Sequence, residues 1–385
     1  MPSRAFVPIL LAAIATLAVA YVSRQVCADM GSGLTWYCYS DYGPVYVARE
    51  LAGGRFPYGT PSLEYPAGLG LILWIASAIG GSAIGFARVS MLFCATACLA
   101  IVWTLSRHTG RRALLFAAAP TIVLYAFLNW DLIALACAIA AIATFAARRD
   151  GASGFWLGLG AAIKVFPALL LVPMVAQRLR EGDKPRAIRL MAGAVLPVVA
   201  LNVPVAWASW DGWTYFFRFN SERAVDWGTL WSAGCHTLGT NLCSDIARVN
   251  SLSLAVFAVG SVLTWVLVTR AAPGIPRWQL AFPLLVVFVL SNKVYSPQYS
   301  LWILPWFALV LPSVRLFVVY EVIDIAIYVT TFGWQQRLAG DGGLPLWPLH
   351  VTLVLRAALL LVMVAAFTRR AAAASQPEPA PGNQP

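Results

Sequence analysis

Long apolar segments separated by short polar turns make up most of this chain. The segments lie at about residues 5–22, 66–80, 83–105, 113–128, 131–147, 154–177, 190–207, 251–270, 279–291, 299–311, 314–333 and 348–367. Because a helix needs about 20 apolar residues to cross a bilayer, some segments can span it and others reach only part of the way. The pattern predicts an all-α polytopic membrane protein with about 10–12 transmembrane or half-membrane helices and short juxtamembrane helices.

The composition supports this class and excludes others. Of the 385 residues, 60% are hydrophobic and 11% are charged, and the mean hydropathy is +0.74. A soluble globular domain does not have this composition. The net charge of +11 comes from basic residues in short turns, which is typical of cytoplasmic loops and not of a nucleic-acid-binding face. We therefore expect a multi-pass protein of the inner or plasma membrane that contacts lipids and no nucleic acid.

The ends of the chain suggest a simple domain organisation. Residues 1–30 have the order of a secretory signal, a basic residue and then an apolar run, but the run is long enough to span the membrane. A retained signal-anchor is therefore the better interpretation. We expect one membrane domain over residues 1–370 and a disordered cytoplasmic tail, rich in Ala and Pro, over residues 371–385.

The positions of the basic residues predict which turns face the cytoplasm. Basic side chains cluster at 107–112, 148–149, 178–189, 270–277, 315 and 369–370. Under the positive-inside rule these turns are cytoplasmic. The first loop, the stretch 129–131 and the loops at 208–250, 292–299 and 334–347 then lie on the outer side.

Two segments disturb this alternation. The segment 66–80 is short and ends at Gly80-Gly81, and the segment 154–177 is interrupted by the sequence from Lys164 to Pro167. We expect the first to be an incomplete crossing and the second to be two half-helices that meet near the outer leaflet. Non-helical backbone at membrane depth is tolerated only where it lines a cavity or packs within protein. Both irregularities therefore predict a cavity that opens outward.

Asp41 in the first loop is the main candidate for catalysis. It precedes a short stretch with Pro44 near its start and Gly53-Gly54 near its end, which predicts a short helix in the membrane interface. As a helix N-cap, Asp41 would be purely structural. As a general base, it would accept a proton from an attacking hydroxyl. The helix N-terminus would favour its ionised form and weaken it as a base.

Two lysines are candidates for binding an anionic phosphate. Lys164 lies in an apolar segment, where a charged side chain is costly unless it reaches the interface or has a function. Lys293 lies in a polar turn that also contains Asn292 and Gln298, which could contact a sugar or a headgroup.

Three further residues are candidates for binding substrate. Glu64 at the end of the first loop and Asp131 at the start of an apolar segment are outward acids, although a surface position and a helix N-cap explain them equally well. Tyr42 beside Asp41 suits a sugar-binding surface or an interfacial aromatic belt.

Other polar residues have structural explanations that we prefer. Glu321 and Asp324 share a helix face, and Arg356 lies deep in the last apolar segment, so an internal ion pair is expected. Cys94, Cys98 and Cys137 fall in apolar segments and are expected to be packing residues. If the outer loops face an oxidising compartment, Cys27 could pair with Cys38, and Cys235 with Cys243.

Motifs for several other chemistries are missing from the sequence. It contains no Gly-rich phosphate-binding loop, no Gly-x-Ser-x-Gly and no zinc-binding helix motif. No soluble cofactor is therefore expected, and a sugar donor would have to be carried by a membrane lipid. No ligand cluster indicates a metal site, and a divalent ion is left as an open alternative.

Three stretches together resemble a known family. They are Ser40-Asp41-Tyr42 with Glu64-Tyr65-Pro66, the sequence Ile163-Lys164-Val165-Phe166-Pro167, and the turn 292–299 followed by Leu301-Trp302. They resemble the actinobacterial polyprenyl-phosphate-sugar-dependent glycosyltransferases of the C superfamily, in particular the family of the alpha-mannosyltransferase of phosphatidylinositol mannoside synthesis. The resemblance implies a multi-span helical fold, an external active site and a catalytic acid in the first external loop, the position of Asp41.

The function expected from these features is transfer of a sugar from polyprenyl phosphate to a lipid or cell-wall glycan on the extracytoplasmic side. Mannose is the first candidate for that sugar. Asp41 would be the base, and Lys164 and Lys293 would bind the donor phosphate. A transporter or flippase for a lipid-linked sugar is an alternative, because broken helices and intramembrane lysines occur there too. A non-catalytic partner of a cell-envelope enzyme is another, because Asp41 lacks a companion acid. The sequence leaves the oligomeric state open.

Overall fold

Helices make up all of the regular structure in the part of the chain that the computed structural model describes, residues 6–29 and 39–375. The α-helices are α1 (Phe6–Asp29), α2 (Tyr42–Ala48), α3 (Ala67–Gly80), α4 (Ala83–Thr109), α5 (Leu114–Ala117), α6 (Pro120–Tyr125), α7 (Asp131–Ala146), α8 (Asp150–Ile163), α9 (Leu171–Arg180), α10 (Lys184–Ala208), α11 (Trp210–Glu222), α12 (Leu230–Leu238), α13 (Ile246–Ala271), α14 (Ala281–Ser291), α15 (Ser300–Ile303), α16 (Pro305–Leu309), α17 (Val314–Leu338) and α18 (Leu346–Ala374). Short 3-10 turns at Ala52–Gly54, Gly110–Ala113, Phe166–Leu170, Asn241–Ser244, Arg277–Leu280 and Pro297–Tyr299 connect some of them.

Six helical segments of the described chain are long and apolar enough to cross a membrane. They are Phe6–Arg24, Ala83–Ala117, Lys184–Ala208, Ile246–Ala271, Val314–Leu338 and Leu346–Ala374. Shorter apolar helices lie at Ala67–Gly80, Asp131–Ala146 and Arg277–Ser291. The predicted all-α polytopic class is confirmed, and so is the short element predicted at 66–80.

Two of the predicted spans are divided in the structure. The segment predicted at 113–128 consists of α5 and α6, and the segment predicted at 299–311 consists of α15 and α16. A proline begins the second helix of each pair, Pro120 in α6 and Pro305 in α16. Because proline has no backbone N–H and its ring clashes with the preceding turn, a continuous helix is disfavoured at these points.

The predicted break in the segment 154–177 is confirmed. Helix α8 ends at Ile163, and Lys164 is extended, with φ −146° and ψ 136°. The turn Phe166–Leu170 then leads into α9, which runs back. Arg178 near the end of α9 donates from Nε to Asp150 Oδ1 at the start of α8, over 2.6 Å. The two half-helices therefore form a hairpin whose tip carries Lys164.

Small residues let α8 pack directly on α10. A Cβ atom at Gly154 would lie 2.0 Å from the carbonyl oxygen of Leu190, and one at Gly158 would lie 2.0 Å from that of Ala194. Larger side chains at these glycines would force the helices apart. Small residues permit such close approach where membrane helices pack, and here they fix the hairpin that carries Lys164.

The two ends of the bundle differ in chemistry. Trp334 and Gln335, near the end of α17, line a large cavity of about 690 Å³. Pro312, just before the start of α17, lies beside Arg112 and Arg370 at a smaller cavity of about 180 Å³. A helix as long as α17 spans roughly 35–40 Å, so the large cavity and the arginine-rich turns lie at opposite ends.

An internal ion pair holds α17 to α18, as the sequence predicts. Arg356 Nη1 lies 3.4 Å from Asp324 Oδ1. Thr121 donates from its backbone N–H and its hydroxyl to Glu321 Oε2, each over 2.8 Å, and Ser300 donates to Asp324. These five side chains are at most 4% exposed.

The cysteines and the C-terminus complete the comparison with the sequence. Cys235 and Cys243 form a disulfide, and Cys94, Cys98 and Cys137 are buried free thiols, as expected. The predicted pair of Cys27 and Cys38 lies outside the described residues. Helix α18 runs to Ala374, past the predicted domain boundary at 370, and most of the predicted tail also lies outside the described residues.

Candidate active site

A cavity of about 690 Å³ opens at one end of the bundle. Separate parts of the chain form its wall. The first loop up to Pro66, the stretch 128–129 and the tip of the α8–α9 hairpin contribute residues. The segment from α11 to residue 228, the turn 292–299 and the end of α17 contribute others. The sequence predicts a cavity from the irregular segments, and the structure brings Asp41, Glu64, Lys164, Asn292, Lys293 and Gln298 together on its wall.

Asp41 is held firmly on this wall. Tyr39 Oη donates to Asp41 Oδ1 over 2.7 Å, and Asn129 Nδ2 donates to Asp41 Oδ2. The backbone N–H of Asp41 donates to the carbonyl of Leu128 over 2.9 Å. The side chain of Asn129 is in turn 2% exposed. The carboxylate is therefore fixed from two sides while it still lines the cavity.

The electrostatics of Asp41 differ from the sequence-based expectation. Asp41 precedes α2, but its side chain makes no capping hydrogen bond. Burial raises the pKa of the Asp41 carboxyl, and the hydrogen bonds from Tyr39 and Asn129 and the charge of Lys164 act in the opposite direction. A raised pKa strengthens Asp41 as a base, in contrast to the weakening expected from a helix N-terminus.

Lys164 reaches the cavity while bound to a buried acid. Its Nζ lies 3.1 Å from Asp131 Oδ2, and the exposed fractions of the two side chains are 13% and 1%. Trp302 Nε1 donates to Asp131 Oδ1 over 2.8 Å. The sequence assigns Asp131 to sugar binding, but both its oxygens have protein partners and it does not line the cavity. Asp131 instead orients Lys164, because a buried carboxylate needs a cation beside it.

The turn 292–299 supplies several polar residues to the wall. Gln298 is 3% exposed, and its Oε1 has no hydrogen-bond partner within the described chain. Asn292 Oδ1 accepts from the backbone N–H of Val294 over 3.1 Å. Gln298 therefore has an acceptor available to a ligand in the cavity.

Lys293 is more committed to the protein than the sequence suggests. Its Nζ donates to the carbonyl oxygens of Ser221, over 3.2 Å, and Arg223, over 2.6 Å. Its side chain is buried. Most of the hydrogen-bonding capacity of this ammonium group is therefore used within the protein.

Of the other two residues predicted to bind substrate, Glu64 lines the cavity and Tyr42 does not. Glu64 lines the cavity in a salt bridge with Arg49, Nε to Oε2 at 2.7 Å. Tyr42 is fully buried, and its ring packs on Trp130 with centroids 4.9 Å apart. Tyr42 therefore does not line the cavity, because residues 41 and 42 point in different directions at the start of α2.

Several cavity residues escape prediction from the sequence. Arg223 and Asp226 lie just after α11, and their side chains are 3.3 Å apart, Nη2 to Oδ2. Asn129 holds Asp41 from a position that is distant in sequence, and the sequence does not show that Tyr39, two residues away, donates to that carboxylate. The only signal for them is that polar and aromatic residues recur in predicted outer loops, which does not show which of them meet.

An aromatic stack supports one side of the cavity. Trp302 lies between Phe166 and Tyr299, with ring centroids 4.2 Å and 3.8 Å apart and nearly parallel planes. Lys164 Nζ lies 5.3 Å from the ring centroid of Tyr65, whose hydroxyl accepts from Asn129 Nδ2 over 3.3 Å. The two predicted motifs around Lys164 and Trp302 therefore form one continuous wall with the Asp41 cluster.

Comparison with known proteins assigns the chain to a family. The model of glycosyltransferase family 87 matches residues 63–297, a range that begins after Asp41 and contains Lys164 and Lys293. A similar solved structure is the crystal structure of ArnT from Cupriavidus metallidurans bound to undecaprenyl phosphate, with 16% identity, a TM-score of 0.49, and coverage of 93% of this chain and 77% of that chain. No match is found among curated proteins. The family model covers more than half of the sequence and confirms the glycosyltransferase resemblance, and this membrane protein therefore belongs to glycosyltransferase family 87.

Proposed function

We propose that this membrane glycosyltransferase moves a sugar, with mannose as the first candidate, from polyprenyl phosphate to a lipid or cell-wall glycan on the extracytoplasmic side. The observation that carries the proposal is the Asp41 carboxylate, which is doubly hydrogen-bonded, has a raised pKa and faces a cavity with cationic groups on its wall. A base and a phosphate site in one cavity are what transfer from a phosphate-linked donor requires.

The reaction is a displacement at the anomeric carbon. Asp41 accepts the proton of the acceptor hydroxyl as the oxygen of that hydroxyl forms a bond to the anomeric carbon. The bond from the anomeric carbon to the phosphate oxygen breaks, and the polyprenyl phosphate leaves with the electron pair. Attack opposite the leaving group inverts the configuration of the sugar. Negative charge grows on the phosphate, and Lys164, held by Asp131, stabilises it.

The remaining polar wall suits a sugar. Gln298 offers an unpaired acceptor, and Asn292 lies in the same turn. The paired side chains of Arg49 and Glu64 lie on the cavity wall with the aromatic residue Phe219. Polar groups that orient hydroxyls, combined with aromatic surface, are typical of small-ligand sites.

The distribution of arginines supports an extracytoplasmic cavity. Arg112 and Arg370 lie at the end of the bundle away from the large cavity. Arg180 joins the turns after α9 and α13 by donating to the carbonyl oxygens of Pro273 and Ile275. Basic turns favour the cytoplasmic side, so the cavity end is expected to be the outer one.

Transfer of radiolabelled mannose from polyprenyl-phosphate-mannose to lipid tests the proposal. The full-length protein is purified into bilayers, and the wild type is compared with Asp41→Asn. We expect transfer by the wild type and a loss of about 10²–10⁴-fold in kcat for the variant, the usual contribution of a general base. Asp211→Asn, which changes an exposed acid away from the cavity, is the matched control and is expected to keep wild-type transfer.

The same assay separates the alternatives. Equal transfer by wild type and Asp41→Asn would remove Asp41 from the mechanism. Transfer only from glucose or arabinose donors would change the sugar, and loss of transfer with a chelator would show a metal requirement. Movement of the lipid-linked sugar across vesicles without transfer would indicate a flippase. Activity that appears only with a partner protein would indicate a non-catalytic subunit.

A further inference from the structure

The cationic groups of the cavity differ in how much hydrogen-bonding capacity they retain. Lys164 is paired with Asp131, and Arg49 with Glu64. Arg223 makes one ion pair in the described chain, from Nη2 to Asp226 over 3.3 Å, and its side chain is 37% exposed. A guanidinium has several further N–H donors. Arg49 also makes one ion pair, but its side chain is 18% exposed, so the remaining donors of Arg223 are the more accessible to a ligand.

Lys293 holds the backbone on both sides of Arg223. Its Nζ donates to the carbonyls of Ser221 and of Arg223 itself. Its own carbonyl accepts from the backbone N–H of Asp226 over 3.0 Å. Lys293 is 6% exposed. These contacts fix the end of α11 and the start of the following loop against the turn 292–299.

Arg223 lines the same cavity as Tyr39 and Asp41. Arg223 lies at the end of α11, on the cavity wall with Phe219 and Asp226. Burial and the charge of Asp41 raise the pKa of Tyr39, and the charge of Arg223 opposes this rise. Tyr39 is the phenol that donates to Asp41. Arg223 therefore lies within electrostatic range of the base cluster, where the donor phosphate and the acceptor must meet.

We infer that Arg223 contacts the phosphate of the lipid-linked donor and that Lys293 is a positioning residue that acts through Arg223. The inference rests on the proposed function and reassigns the phosphate contact expected for Lys293. A planar guanidinium can give two parallel hydrogen bonds to phosphate oxygens, whereas an ammonium acts as a point charge. With Lys164 on another part of the wall, the phosphate is held between two cations.

Binding of a short-chain polyprenyl phosphate to the full-length protein in bilayer discs tests the inference, with the neutral polyprenol as reference. The variants are Arg223→Gln, Lys293→Gln and the double variant. Arg218→Gln is the matched control, because it removes the same charge from an exposed position on the same helix, away from the cavity. We expect Arg223→Gln to weaken binding of the phosphate by about tenfold or more and binding of polyprenol little.

The double variant distinguishes positioning from direct contact. If Lys293 acts through Arg223, Lys293→Gln weakens phosphate binding in the wild type and adds little when Arg223 is already Gln. Independent contacts would multiply the two fold-changes and overturn the positioning role. Thermal unfolding of each variant shows whether it is folded. If Lys293→Gln does not fold, Lys293→Arg replaces it, and the same non-additivity is expected.

The remaining outcomes separate this inference from the proposed function. Unchanged phosphate binding in Arg223→Gln overturns the contact, even if the wild type transfers sugar. Wild-type binding that does not distinguish polyprenyl phosphate from polyprenol overturns the phosphate site altogether. Phosphate binding that depends on Arg223, in a wild type that transfers no sugar, supports the inference and overturns the proposed glycosyl transfer.

Discussion

Two of the clusters of charged residues in the described part of this bundle differ in access to solvent and ligand. In the cluster of Asp324, Glu321 and Arg356, every charged side chain is at most 4% exposed, and none lines the large cavity. In the cluster of Asp41 and Lys164, both side chains line that cavity. Both contain acids and bases that are costly to place in a membrane protein. Burial alone therefore does not separate the two clusters, whereas access to the cavity does.

The two clusters also differ in the groups that pair with their acids. Asp324 is satisfied by a cation on α18 and by hydroxyl groups, which join separate helices. Asp41 is held by neutral groups, Tyr39 and Asn129, and Lys164 in the neighbouring wall is paired elsewhere. A carboxylate without its own salt bridge keeps the basicity that proton transfer needs. The first cluster joins helices, and the second contains the carboxylate that we propose as the base.

Breaking the interior cluster is expected to have the largest effect of the changes considered. Arg356→Met leaves Asp324 buried without its cation, which should lower the free energy of unfolding by about 3–5 kcal/mol. Thermal unfolding of the purified protein measures the loss. Transfer per folded molecule should stay close to wild type, because this cluster does not line the cavity.

A second variant controls for the charge itself. Arg356→Met combined with Asp324→Asn removes both charges, and we expect it to recover much of the lost stability. A normal unfolding temperature in Arg356→Met, or a loss of transfer in molecules that are still folded, would contradict the division between a structural and a functional cluster.

Replacing Lys164 should combine both kinds of effect. Lys164→Gln removes a cation from the phosphate site, and we expect kcat to fall by about 10²–10³-fold, as when one donor to a developing anion is lost. It also leaves Asp131, which is 1% exposed, without its cation, so the unfolding temperature should fall as well. Steady-state transfer and thermal unfolding on the same preparation measure the two losses.

The double variant Lys164→Gln with Asp131→Asn separates them. Removing the buried charge should restore the unfolding temperature, while transfer stays low because the phosphate has still lost its cation. Recovery of transfer together with stability would mean that Lys164 has only a structural role. Arg223 would then be the remaining candidate for contacting the phosphate.

The sequence predicts the fold better than the site. Apolar length predicts the helical class, the short α3 and the break at Lys164, because each follows from local chain chemistry. The divided segments at 113–128 and 299–311 are signalled by Pro120 and Pro305, whose effect on a helix is also local.

The site depends on contacts between distant parts of the chain. Asp41 meets Asn129 across 88 positions, and Lys293 meets Arg223 across 70. Residue type and position cannot reveal which of several outer acids has a cation beside it. Asp131 therefore resembles a sugar ligand in the sequence, although it is the partner of Lys164 in the structure. The position of Tyr42 could not be predicted either, because Asp41 beside it lines the cavity while the ring of Tyr42 packs inside the bundle.

The smallest expected effect is a pH shift that reports directly on Asp41. Burial raises the pKa of Asp41, and the hydrogen bond from Tyr39 lowers it. Tyr39→Phe removes that hydrogen bond, so the pKa of Asp41 should rise further. A base must be ionised to act, and kcat/KM falls on the acid side as the carboxylate is protonated. The acid limb of the pH profile should therefore move to higher pH in Tyr39→Phe, with activity at alkaline pH largely kept.

Tyr46→Phe is the matched control, because it removes the same hydroxyl from a buried tyrosine of α2 that does not line the cavity. Its pH profile should follow that of the wild type. If Tyr39→Phe also leaves the acid limb in place, the titrating group is not Asp41, since the phenol donates directly to that carboxylate over 2.7 Å. A shift toward lower pH would mean that the phenol destabilises the ionised form, and would reverse the role assigned to this hydrogen bond. Only the upward shift is consistent with a base whose strength is set by burial and moderated by the hydrogen bond from Tyr39.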